Sequence, residues 1–96
     1  MTLTEQQKRK LRGYAQSMKP VVWLGAGGPS PAVIAELEQA LDHHELVKVK
    51  LRTGDREARD QAISALCEAS GAALIQRIGN IAVLFRRNEE NPRVNF

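Results

Sequence analysis

The order of apolar and polar positions divides the chain into seven short elements. A helix is expected from about Thr4 to Ser17: Leu11, Tyr14 and Ala15, with Met18 just beyond, recur at helical spacing, and Thr4 with Gln7 three residues on forms a capping box. Lys19-Pro20 ends this helix, because the residue before proline is pushed out of helical geometry. "VVWL" then reads as a short buried strand, with Trp23 its one large aromatic and expected in the core. A glycine-rich loop follows, and Ser30-Pro31 caps and opens a second helix striped by Val33, Ile34, Leu37, Ala40 and Leu41.

"ELVKVKLR" alternates strictly, with Val47, Val49 and Leu51 on one face and Lys48, Lys50 and Arg52 on the other. Thr53 to Asp55 is a turn and cap. A third helix then turns Ala62, Ile63, Leu66 and Cys67 inward and closes at Gly71. "AALIQRI" and "IAVLFRR" flank Gly79-Asn80 as a tight hairpin. The order is α-β-α-β-α-β-β, an α/β chain of the two-layer α+β kind. Two strand–helix–strand crossovers imply neighbouring parallel strands, and the hairpin adds an antiparallel one. Residues 1–88 form a single domain, and the aperiodic 89–96 segment is expected to be a mobile tail.

Composition narrows the class. Ninety-six residues, 43% hydrophobic and 26% charged, suit one globular core. The N-terminal stretch is charged where a signal peptide needs its apolar segment, and no apolar run reaches the roughly 20 residues of a membrane span. The single cysteine, Cys67, sits on the apolar side of a helix and reads as a structural thiol. A reducing, cytoplasmic setting is expected.

Net charge is +3, and its distribution is uneven. Residues 1–30 hold Lys8, Arg9, Lys10, Arg12 and Lys19 against Glu5 alone; residues 31–46 hold Glu36, Glu38, Asp42 and Glu45 with no Lys or Arg. Such two-sidedness fits a molecule that orients on phosphates, and equally a solvated charged surface.

The loop Gly25-Ala26-Gly27-Gly28 decides among phosphate chemistries. A P-loop needs a Gly-Lys that is absent here. A dinucleotide fingerprint would place glycine at Ser30 and an acid at the end of the next strand, where Leu51-Arg52 stands. The short form G-x-x-G remains: without Cβ atoms its backbone can approach a sugar–phosphate chain, as in K-homology RNA-binding modules, or simply make a sharp turn. The basic strand, with Arg86-Arg87 ending the last strand and Arg77 in its hairpin partner, favours the nucleic-acid reading.

"KPVVWLGAGG", "HHELVKVKL", a Ser-Gly before the third strand and "IGNIAVLFRR", in this order across about residues 3–87, resemble the CRM (chloroplast RNA splicing and ribosome maturation) domain, in its stand-alone bacterial YhbY-like form. The resemblance implies a four-stranded mixed sheet with packed helices, like the C-terminal domain of the third bacterial initiation factor. It also implies RNA binding and association with precursors of the large (50S) ribosomal subunit through 23S rRNA. It maps RNA contacts to Gly25 and Gly28 with Ala26 and Gly27 between them, and to Lys19, Lys48, Lys50 and Arg86; the charge pattern of the basic strand adds Arg52. Two departures stand out: Ala26-Gly27 replaces the lysine or polar residue frequent in the family loop, and Phe85-Arg86 replaces a frequent Tyr-Arg.

Other chemistry is thin. His43 and His44 are adjacent, so they diverge, and no acid or thiol completes a metal site; they suit a helix C-terminus and could tune affinity near neutral pH. Glu36 and Glu38 do not share a helix face, and Ser30 has no base. The expectation is a monomeric, non-enzymatic RNA-binding protein without cofactor, metal, membrane or small-molecule substrate. The rival is an adaptor docking through the acidic second helix, which salt would barely weaken; a nucleotide-binding enzyme ranks lower for want of a catalytic constellation.

Overall fold

A computed structural model describes residues 2–25, 27–52 and 54–96. Its elements are α1 (Glu5–Ala15), β1 (Val22–Leu24), α2 (Pro31–His44), β2 (Leu46–Leu51), α3 (Arg56–Ser70), β3 (Ala73–Ile78) and β4 (Ile81–Phe85). The expected helix starts are all realised by side-chain caps. Thr4 Oγ1 accepts from the Gln7 amide at 3.1 Å while Gln7 Oε1 accepts from that of Thr4 at 2.9 Å. Ser30 caps α2 and Asp55 caps α3. Gly71 takes the left-handed φ of 74° that ends α3, and Gly79 (φ 58°) turns the hairpin. The expected turn residue Thr53 lies outside the described residues.

The four strands are ordered β1-β2-β4-β3. β1 and β2 are parallel neighbours, but β2 and β3 are not adjacent as the crossover rule suggested: β4 lies between them, antiparallel to both. The reason is burial. Ala82, Val83, Leu84 and Phe85 are all buried, so β4 is an inner strand covered on both faces, whereas β3 exposes Leu74 and Ile78 at the sheet edge.

Two cores result. α2 and α3 pack on one face against Val22, Leu24, Val47, Val49, Leu51, Ala82 and Leu84. α1 packs on the other face with Leu11 and Ala15 against Leu46, Ile75, Val83 and Phe85. With only 11 residues, roughly 16 Å of helix, α1 covers one end of its face. The other end stays open.

The C-terminal segment 89–96 has no helix or strand, yet it is anchored where a mobile tail was expected. Val94 and Phe96 pack on the α1 core, and the Phe96 ring meets Phe85 edge-on at 5.4 Å. Tyr14 donates its hydroxyl to the Asn95 carbonyl at 2.8 Å. The anchor is Glu45, fully buried and held at φ 62°. Its carboxylate accepts from the backbone amides of Asn88, Arg93 and Val94 at 2.6–2.7 Å and from Arg87 at 3.2 Å. Burial alone would raise its pKa; the three amides and Arg87 outweigh that and hold it below its ordinary value. An aperiodic tail is therefore held by an upstream carboxylate together with Tyr14 and a few apolar contacts, pairings that periodicity does not reveal.

Candidate nucleic-acid interface

The open half of the α1-side sheet face is built in rows set by strand register. Trp23 lies beside Lys50, Lys50 opposite Ile81, and Ile81 opposite Ile78. The next row holds Lys48, Val83 and Gln76, with Val21 alongside through its amide bond to the Lys48 carbonyl at 3.0 Å. A shallow groove of about 230 Å³ runs between these rows and the end of α1, lined by Ala15, Gln16, Lys48, Gln76, Ile78, Ile81 and Val83. No carboxylate occurs in either row.

Trp23 departs from the core position expected of it. It is 45% exposed, because Val22 and Leu24 take the α2/α3 face of this three-residue strand and leave Trp23 on the other. β1 is an edge strand at the end of the face that α1 leaves open, so the side chain stays nearly half exposed. The outward turn was legible only as alternation, and three residues are too few to show it.

Of the residues singled out in the sequence, Lys19, Lys48, Lys50 and Arg52 gather along β1. Lys19 is exposed just before that strand. Lys48 spends one N–H on the Met18 carbonyl at 3.0 Å, closing the end of the α1 segment. The Arg52 amide bonds the Leu24 carbonyl at 2.7 Å, which sets Arg52 beside the root of the glycine loop. Among the described residues, Lys19, Lys50 and Arg52 have no ion-pair partner.

In that loop the Gly28 amide bonds the Gly25 carbonyl at 3.1 Å, and Gly28 has φ 71°, so the turn itself needs glycine there. Gly25 and Gly27 differ. Neither has a positive φ, and a Cβ on either would meet only open space. Folding does not demand glycine at 25 or 27. Ala26 lies outside the described residues. The α2 N-terminus is a weaker anion site than its position suggests: Pro31 brings no N–H, and Ser30 Oγ already accepts from Val33 at 3.2 Å.

Arg86 is not brought to this face. Its guanidinium donates to Glu38 at 2.6 Å, Asp42 at 2.8 Å and the Ser70 carbonyl at 2.7 Å, tying α2 to the end of α3. Burial works against its charge, but Glu38 and Asp42 more than offset that and hold its pKa up. Arg77 is similarly spent on Asp60 at 2.7 Å. These pairs also consume the acidic helix: with Glu38 and Asp42 on Arg86 and Glu45 buried, Glu36 is the acid of that run still facing solvent unpaired among the described residues.

The remaining candidates are quiet. His43 Nδ1 bonds the Gln39 carbonyl at 2.8 Å, as suits a helix end. No group of three or more His, Cys, Asp or Glu that could hold a metal occurs among the described residues. Burial pushes the Cys67 thiol up, which disfavours the nucleophilic thiolate. No helix among the described residues is long and apolar enough to cross a membrane.

Comparison with known proteins gives a consistent result. The chain is 47% identical over 89 residues to an RNA-binding protein of Haemophilus influenzae, covering 93% of this chain and 90% of that one. It is 40% identical over 96 residues to a protein of Pseudomonas aeruginosa named a probable RNA-binding protein, covering 100% and 91% of the two chains. Among solved structures it resembles a Staphylococcus aureus protein described as a candidate for RNA binding. That match has a TM-score of 0.84 and 31% identity over 98% of each chain. The model of the CRS1/YhbY (CRM) domain matches residues 3–86, so the chain belongs to the CRM-domain family.

Proposed function

We propose that this protein binds RNA through the β1 side of its sheet and acts during assembly of the large ribosomal subunit, on 23S rRNA of its precursor particles. The observation that carries the reading is the convergence of Lys19, Lys48, Lys50 and Arg52 along β1, leading to a loop where Gly25 and Gly27 leave open space that the fold does not require. Cations gathered on one surface neutralise several phosphates together, and bare backbone admits the sugar–phosphate chain closely. Family membership and the RNA-binding names of its relatives support the same reading. No step of chemistry is assigned to it, and its role is that of a non-enzymatic binding protein. Arg86, spent within the fold, supports the scaffold instead. The adaptor reading is less favoured, because Glu38 and Asp42 are paired with Arg86 and Glu45 is buried.

Sedimentation of lysate tests this. Wild-type protein travels with free large subunits or their precursors, and a folded Gly27→Asp/Lys50→Glu variant stays at the top of the gradient. Equal co-migration of both would refute an RNA grip through this face.

A further inference from the structure

A cationic face needs only lysine and arginine to hold phosphates; the apolar row set among those cations calls for a different partner group. Trp23 (45% exposed), Val21 (41%) and Ile78 (65%) stand out of the sheet, with Lys50 between Trp23 and Ile81. Resting on the RNA reading above, we propose that Trp23 is a base-stacking platform: a single-stranded RNA segment lays a base on its indole while its phosphates meet Lys19, Lys50 and Arg52.

Three features favour this occupant. Trp23 is two residues before Gly25, roughly 7 Å along an extended chain at about 3.3 Å per residue, close enough for one short RNA segment to reach both. Charge complementarity selects a polyanion, since both rows carry lysine and neither carries an acid. A second copy of the chain fits poorly, because a two-fold contact would set the Lys50 row against itself. Aromatic stacking tolerates any base, which suits an open, shallow surface with few groups to read base edges.

Trp23 is the only tryptophan, so its fluorescence reports the contact directly. The full-length protein is titrated with short single-stranded oligoadenylate and with an abasic oligonucleotide of equal length. Stacking predicts quenching by oligoadenylate and none by the abasic strand. Trp23→Leu keeps apolar area but removes the indole. It should weaken oligoadenylate binding about five- to a hundred-fold and leave the salt slope unchanged, and Trp23→Phe should recover part of the loss. Salt-sensitive binding without quenching, at equal affinity in Trp23→Leu, overturns the platform while leaving the RNA reading intact. Failure of both strands to bind at low salt overturns both. Concentration-dependent emission without RNA, abolished with an oligomer by Trp23→Leu, makes the row a contact between copies and overturns the platform.

Discussion

Trp23 and Lys50 are register partners in the parallel pairing of β1 and β2, side by side on the face that α1 leaves uncovered. The pairing puts an exposed aromatic ring on the edge strand next to a cation of the inner strand β2 that has no ion-pair partner among the described residues. Cation and apolar surface are thus supplied by one register rather than by separate loops.

Lys50 and Arg52 are expected to contribute affinity without stability. Each replaced by alanine should shift folding by no more than about 0.5 kcal/mol and lower the slope of log affinity against log salt by roughly 0.7–0.9. Binding isotherms over a range of salt, with thermal melts alongside, check this. An unchanged slope in both variants would remove these side chains from the phosphate contacts.

The loop glycines should separate by role. Gly28→Ala forces a side chain into φ 71° and should cost about 1–2 kcal/mol of stability. Gly25→Ala and Gly27→Ala meet no neighbour and should fold as wild type. If RNA runs along the loop as proposed, they should nevertheless bind it more weakly, because the added methyl would stand in the way of the sugar–phosphate backbone. Urea denaturation and RNA titration of the three variants distinguish turn from contact.

Glu45 should carry the C-terminal segment. Glu45→Gln keeps the shape but loses the charge that gathers three amides and Arg87, at a cost on the order of 1.5–3 kcal/mol. Its folded pKa lies below the ordinary 4.5, so its stabilisation is fully present above pH 4.5 and is lost as pH falls through the lower, folded value. The gap in stability between wild type and Glu45→Gln should therefore narrow on acidification. A gap constant from neutral pH to well below 4.5 would contradict this account.

Arg86→Ala should act in the opposite way to Lys50→Ala. It leaves Glu38, Asp42 and the Ser70 carbonyl without their shared donor, a loss of roughly 1–3 kcal/mol. The salt slope of RNA binding should not move. A reduced slope with unchanged stability would place Arg86 on the RNA instead.

Much of the fold was legible because its signals are local. Caps at Thr4 and Ser30, the alternation of Val47, Val49 and Leu51 against the lysines, and Gly71 each depend on a few neighbouring residues. Strand order was legible only in part. The unbroken apolar run Ile81–Phe85 signals a strand buried on both faces, and therefore an inner one, but the crossover rule points to β2 beside β3. The pairings of Arg86 with Glu38 and Asp42, and of Glu45 with the tail, link residues more than forty positions apart. No period marks them. For the proposed site, the alternation in β2 and the glycine run mark the basic strand and the loop; nothing local marks that Trp23 turns outward or that Arg86 is consumed by the scaffold.

The central claim, that RNA lies along β1 and the glycine loop, is tested most directly by amide and indole chemical-shift mapping as a large-subunit rRNA fragment is added. The account predicts the largest shifts at Gly25, Gly27, Gly28, Lys50, Arg52 and the Trp23 indole, with Arg86, Glu38 and the exposed side of α3 nearly silent. Shifts concentrated on α2 and α3, with β1 and the loop unmoved, would contradict it.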